Sequence, residues 1–121
     1  MRMVGIAAAL VVAGLAVGSV AQAQQTQTVK GHLVDVMCAT KHATEADYIA
    51  KHDKTCLLME GCVKSGYSVV TADGKVLKLD AKGSQQALAL IKKTERTSAW
   101  TVAVNGTMSG DTITVASIQL Q

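Results

Sequence analysis

All three cysteines of the chain, Cys38, Cys56 and Cys62, and all three histidines, His32, His42 and His52, fall between residues 32 and 62 of a 121-residue sequence. Thiolate sulfur and imidazole nitrogen are the donors that zinc takes in tetrahedral sites, so this concentration raises metal binding as one chemistry. Cys38 and His42 are four positions apart, and His52 and Cys56 repeat the interval. Residues four apart share a helix face, so two such pairs on helices can converge as a two-sulfur, two-nitrogen site, with Cys62 as a further donor. Met37 and Met59 add soft thioether sulfur beside the cluster, which makes copper(I) a second candidate ion after zinc. His32 sits in a strand-like run and is expected at the surface or the barrel rim.

The same cysteines have a plainer use. In an oxidising compartment two of three cysteines normally pair, and a disulfide stabilises a domain with a small core. Cys56 joined to Cys62 is disfavoured on a continuous helix, because six residues rotate by about 600° and leave the two side chains on different faces. The expected staple is therefore Cys38 with Cys56 or Cys62, with no metal required and with His52 as a surface side chain.

Catalytic chemistry has less to stand on. A thiol oxidoreductase uses Cys-x-x-Cys at a helix N-terminus, and no two cysteines here are that close. His52 and Cys56 would make a base and a nucleophile only with an orienting group and an oxyanion site, neither of which the sequence displays. Asp35 and Glu60 are the nearest acids, and acids at strand ends and helix starts are expected to be solvated. The chain reads as a non-enzyme.

The elements that position the cluster follow from periodicity. Val29 to about Cys38 suits a first strand. Thr44-Glu45-Ala46-Asp47 opens a short helix, and Asp53 caps a second helical segment through Leu57, Leu58 and Val63 that stops at Gly66. Residues 38–66 thus form a helical, cysteine-bearing excursion after strand one. Tyr67–Val70 and Val76–Leu79 flank an Asp73-Gly74 pair, the mark of a hairpin. Ser84 is expected to cap a helix whose buried stripe is Ala87, Leu88, Leu90 and Ile91. Trp100, Val102, Val104, Gly106 and Met108 alternate with polar or small residues as one half-buried strand, and Ile113 and Val115 begin the last. Ile118 and Leu120 fall out of phase with them, which predicts a bulge near Ala116 and Ser117.

Strand, excursion, hairpin, helix and hairpin in that order predict a mainly β domain with short helices, an OB-fold-like five-stranded barrel with a helix between strands three and four. The run Val102-Ala103-Val104-Asn105-Gly106-Thr107-Met108-Ser109-Gly110-Asp111-Thr112-Ile113-Thr114-Val115 resembles the closing hairpin of small secreted bacterial OB-fold domains. Together with Gly31-His32-Leu33-Val34-Asp35-Val36-Met37-Cys38 and the stretch from Cys56 to Tyr67, it resembles a group of them that carries a Cys and His segment after strand one. The resemblance covers most of residues 28–120, and it implies a fold without assigning residue roles.

Ahead of the domain, Arg2, the uncharged apolar run Val4 to Val17 and Ala21-Gln22-Ala23 have the order of a secretory signal peptide cleaved before Gln24. No cysteine stands at the end of that run, so lipid attachment there is not expected, and the run is shorter than the roughly 20 residues of a spanning helix. Residues 24–121 are then one periplasmic or secreted domain, with no membrane insertion after cleavage. Its eleven bases against nine acids leave a net charge of +2, too small and too evenly spread for a nucleic-acid footprint. Tyr48, Tyr67 and Trp100 are its only aromatic residues, too few for a base-stacking platform. The functional expectation is a non-catalytic binding module of the cell envelope, for a small ligand or an envelope protein. Periplasmic binding of zinc or copper by Cys38, His42, His52, Cys56 and Cys62 is the alternative.

Overall fold

The computed structural model describes Gly14 and residues 25–121, so the expected signal peptide, apart from that glycine, lies outside the described residues. Five strands run β1 (Thr26–Asp35), β2 (Tyr67–Val70), β3 (Val76–Leu79), β4 (Thr101–Ser109) and β5 (Thr112–Leu120). They close into a barrel in the order β1-β2-β3-β5-β4, with β1 pairing β4 to complete the ring. The β3–β5 pairing is parallel and the other four are antiparallel, an arrangement consistent with an OB-fold-like barrel. Four short helices, α1 (Val36–His42), α2 (Ala46–Lys51), α3 (Lys54–Leu57) and α4 (Glu60–Ser65), lie between β1 and β2, and α5 (Ala81–Lys93) lies between β3 and β4. No helix among the described residues is long and apolar enough to cross a membrane.

Period-two patterning fixes which side chains enter the barrel. Trp100, Val102, Val104, Ile113 and Val115 are all buried in one core with Leu33, Tyr67, Val69 and Leu79, and α5 adds Ala87 and Ile91 from one end. Leu88 and Leu90 are only half-buried. Asn105 pairs with Ser117 but Gly106 with Val115, so Ala116 is the unpaired residue of a bulge, as the out-of-phase Ile118 and Leu120 require. A second cluster, Val34, Ala39, Ile49 and Val70, joins the helical excursion to the outer face of β1 and β2. Covered on both faces, β2 is buried along its whole length, which explains its unbroken Tyr-Ser-Val-Val run.

Two boundaries differ from the sequence expectation. Strand β1 stops at Asp35 rather than near Cys38, because the Asp35 carboxylate caps α1 and overrides the β-branched pattern of Val34 and Val36. Helix α5 starts at Ala81 with Asp80 as its cap, accepting the Gly83 N–H at 3.0 Å. The Ser84 hydroxyl instead accepts the Tyr67 N–H at 3.0 Å, tying α5 to the first residue of β2.

At Gly31 the backbones of β1 and β2 approach closely. A Cβ at Gly31 would collide with the Val70 carbonyl oxygen and lie 2.7 Å from Val69 Cγ1. Gly31→Ala is therefore expected to force β1 away from β2 at a cost of about 1–3 kcal/mol. A urea melt should show a lower midpoint with an unchanged slope, and a wild-type midpoint would place the close packing elsewhere.

Candidate metal centre

The centre is assembled where β1 ends. Asp35 Oδ2 accepts the Cys38 N–H at 2.9 Å, which starts α1 and sets Cys38 one turn into it. The start of α1 is tied to the end of α4: Val36 N–H donates to the Gly66 carbonyl at 2.9 Å and Met37 N–H to Ser65 Oγ at 3.3 Å. Gly66 ends α4 with a φ of 81°, a left-handed value that glycine takes without steric cost. Two more bonds dock α3 on the barrel side, Lys54 N–H to the Thr97 carbonyl at 2.8 Å and Tyr67 Oη to the Leu57 carbonyl at 2.6 Å. With α1 and α4 bound together in this way, Cys38 and Cys62 face each other across a helix pair.

One donor atom each from Asp35, Cys38 and Cys62 lies within 4.8 Å of the other two. Asp35 is 0 % exposed and Cys62 6 %, while Cys38 is half-buried. Asp35 also accepts from His52, Nε2 to Oδ1 at 2.8 Å. Burial acts to raise the Asp35 pKa, but the hydrogen bonds from His52 and from the Cys38 amide outweigh it and hold the carboxyl below its usual range. The retained negative charge has a consequence for its neighbours. Burial first, and then the Asp35 carboxylate, push the Cys62 thiol up to about 12. The Tyr48 hydroxyl is raised as well, chiefly by its hydrogen bond with Cys38. Anionic forms thus oppose one another here, and a cation among the three donors would relieve all of them.

Around this centre lies a layer of aromatic and imidazole rings. Tyr48 stacks on His42 with ring centroids 3.8 Å apart and tilts against His52 at 5.6 Å. On the solvent side, Asp47, Tyr48, Lys51, His52, Asp53 and Cys56 line a groove of about 250 Å³. Cys56 is half-buried in its wall, its amide capped by Asp53 at 2.9 Å and its thiol pKa raised by burial and by the Asp53 carboxylate.

The five expected ligands separate into two sets. Cys38 and Cys62 converge. His42 and Cys38 do share α1, but His42 Nδ1 hydrogen-bonds the Glu45 carboxylate. His52 and Cys56 do not share a helix, since His52 ends α2 and Cys56 belongs to α3, so the second four-residue pair is not a helix-face pair. His52 reaches the centre only through Asp35. It is 5 % exposed, not a surface side chain, and Asp35 is buried rather than solvated. Glu60, by contrast, is exposed and pairs with Lys64 at 2.9 Å. His32 is half-buried near the β1–β2 rim. All three cysteines are free, and the expected staple of Cys38 with Cys56 or Cys62 is not formed. Because α3 and α4 are separate helices broken at Leu58 and Met59, Cys56 and Cys62 do not lie on the continuous helix that was expected to hold them apart.

Compared with known proteins, no family model matches the chain, and no curated protein or solved structure matches it either. The chemistry of the centre is therefore read from its geometry.

Proposed function

We propose that this chain is an exported, non-catalytic binding module of the cell envelope whose ligand is a thiophilic metal ion, zinc before copper. The signal-peptide pattern at residues 1–23 and the resemblance to small secreted OB-fold domains support the export. The observation that carries the metal is the convergence of Asp35, Cys38 and Cys62 within 4.8 Å. Two sulfurs and one oxygen suit zinc, which takes thiolate at about 2.3 Å and carboxylate at about 2.0–2.2 Å and leaves a fourth position for water or another ligand. Tetrahedral donors around such an ion stand about 3.6–3.8 Å apart, a spacing that lies inside the 4.8 Å within which the three donors gather. His52 supports the site from outside by fixing the orientation of the Asp35 carboxylate, as outer hydrogen-bond partners of metal ligands do.

Titrating the reduced mature protein with zinc against a chromophoric chelator tests the reading. One ion per chain is expected, with proton release because loading deprotonates thiols such as Cys62. Cys38→Ser and Cys62→Ser should each weaken binding at least 100-fold, His52→Ala by about 10–100-fold through the carboxylate it orients, and His42→Ala by less than threefold. Reduced protein that takes up neither zinc nor copper(I) in stoichiometric amount would exclude the metal reading. Copper(I) binding in preference to zinc on the same two cysteines would reassign the ion and keep the site.

A further inference from the structure

The two sulfurs that converge on the proposed ion are also placed to oxidise one another. We infer that Cys38 and Cys62 close reversibly into a disulfide, and that this bond and the metal ion exclude one another, so that the module holds its ion only in the reduced state. The metal half of this inference rests on the function proposed above; the disulfide half rests on the placement of the thiols.

Cys38 Sγ and Cys62 Sγ lie within 4.8 Å on two helices that are hydrogen-bonded to each other at the α1 start and the α4 end. A bond needs about 2.05 Å between the sulfurs, a closure of the size that side-chain rotation supplies when the backbones are already side by side. Exposure assigns the order of events. Cys38 is half-buried and can meet an incoming disulfide, whereas Cys62 is buried behind it.

With a small disulfide of the glutathione class as oxidant, the Cys38 thiolate attacks one sulfur of R–S–S–R, forming a mixed disulfide and releasing RS⁻. Cys62 then gives its proton to solvent or to RS⁻ and attacks the Cys38 sulfur, expelling the second RS⁻, which takes up the proton shed by Cys38. The balance is one disulfide formed in the protein and one R–S–S–R reduced to two RSH. The product has lost two of the three donors of the centre, and the Asp35 carboxylate alone is too poor a ligand set to keep the ion. In the other direction, an ion already bound holds both sulfurs as metal thiolates and withdraws them from exchange. Cys56 lies outside the three-donor group and lines the outer groove with Tyr48 and His52.

The test uses the mature chain, reduced and freed of metal, as wild type and as Cys56→Ser. Oxidised glutathione should remove about 2 Da from each protein without a lasting glutathione adduct. Cleavage after both lysine and glutamate separates Cys56 from Cys62, because Glu60 lies between them, and should yield one cross-linked pair containing Cys38 and Cys62. The oxidised protein should bind zinc at least 100-fold more weakly, recover on reduction, and form at least tenfold more slowly when zinc is added before the oxidant. Stable mixed disulfides, a Cys38–Cys56 link, or unchanged zinc affinity after oxidation would each overturn the inference. Failure of the reduced protein to bind metal while the Cys38–Cys62 bond still forms would instead overturn the proposed function and, with it, the exclusion.

Discussion

Val104→Asp is expected to leave the reduced, metal-free chain unfolded at room temperature. Val104 is 0 % exposed and sits mid-strand in β4, paired with Val29 of β1 on one side and with Ile118 of β5 on the other. It is packed in the core with Trp100, Val102 and Ile113. A carboxylate at that point has no basic partner, and isolating a charge from water costs several kcal/mol even after local relaxation. The valine it replaces also contributed about 1.5–3 kcal/mol of burial. A domain of this size has about 5–15 kcal/mol in total, so the combined loss takes most or all of it. Circular dichroism should show no cooperative melt. Thr114→Asp, on an exposed position of β5, is the control and should move stability by no more than about 0.5 kcal/mol. A wild-type melt for Val104→Asp would mean that β4 presents its other face to the core.

The barrel was the legible part of the molecule because alternation is a local signal. Val102 and Val104, with Trp100 just ahead of the strand, announce their side of β4 by spacing alone, and the broken phase between Val115 and Ile118 is visible as the bulge at Ala116 before any partner is known. Helix starts were harder. Asp80 and Ser84 are both good caps, and the choice between them was made by Tyr67, whose amide takes the Ser84 hydroxyl from far along the chain. At the site, Cys38 and Cys62 were recognisable by type, whereas Asp35 was not, since an acid at a strand end is ordinarily solvated. A cue did exist in Asp35-Val36-Met37-Cys38, the spacing by which an aspartate caps the amide three residues on. Its bond to His52 spans 17 positions and depends on α2 folding back over β1, which no local pattern encodes. The equal intervals of Cys38–His42 and His52–Cys56 suggested a symmetry that the break between α2 and α3 removes.

Asp35→Ala should be the most damaging substitution at the centre, in stability as well as in metal binding. It removes the acceptor of His52 Nε2, whose side chain is 3 % exposed, and leaves a polar ring buried without its partner. Leaving a buried polar group without its hydrogen-bond partner costs about 1–3 kcal/mol, and loss of the α1 cap adds about 1 kcal/mol. Asp35→Asn keeps an acceptor for His52 and a cap for Cys38, so it should lose less than half as much while still abolishing tight zinc binding. The two variants thus separate the structural duty of the side chain from its charge. Acid gives an independent reading in metal-free, reduced protein. The folded pKa of Asp35 lies below its unfolded value, so the charged carboxylate contributes stability at pH above the ordinary aspartate value of about 3.9, and that contribution is lost as pH falls through the folded value. The gap in Tm between wild type and Asp35→Asn should therefore be full at pH 7 and narrow steadily below about pH 4. Calorimetric melts across that range measure it. Asp35→Ala melting within about 2 °C of wild type at pH 7, where each kcal/mol is worth about 4–8 °C in a domain of this size, would show that the Asp35–His52 pair does not hold the helical excursion to the barrel.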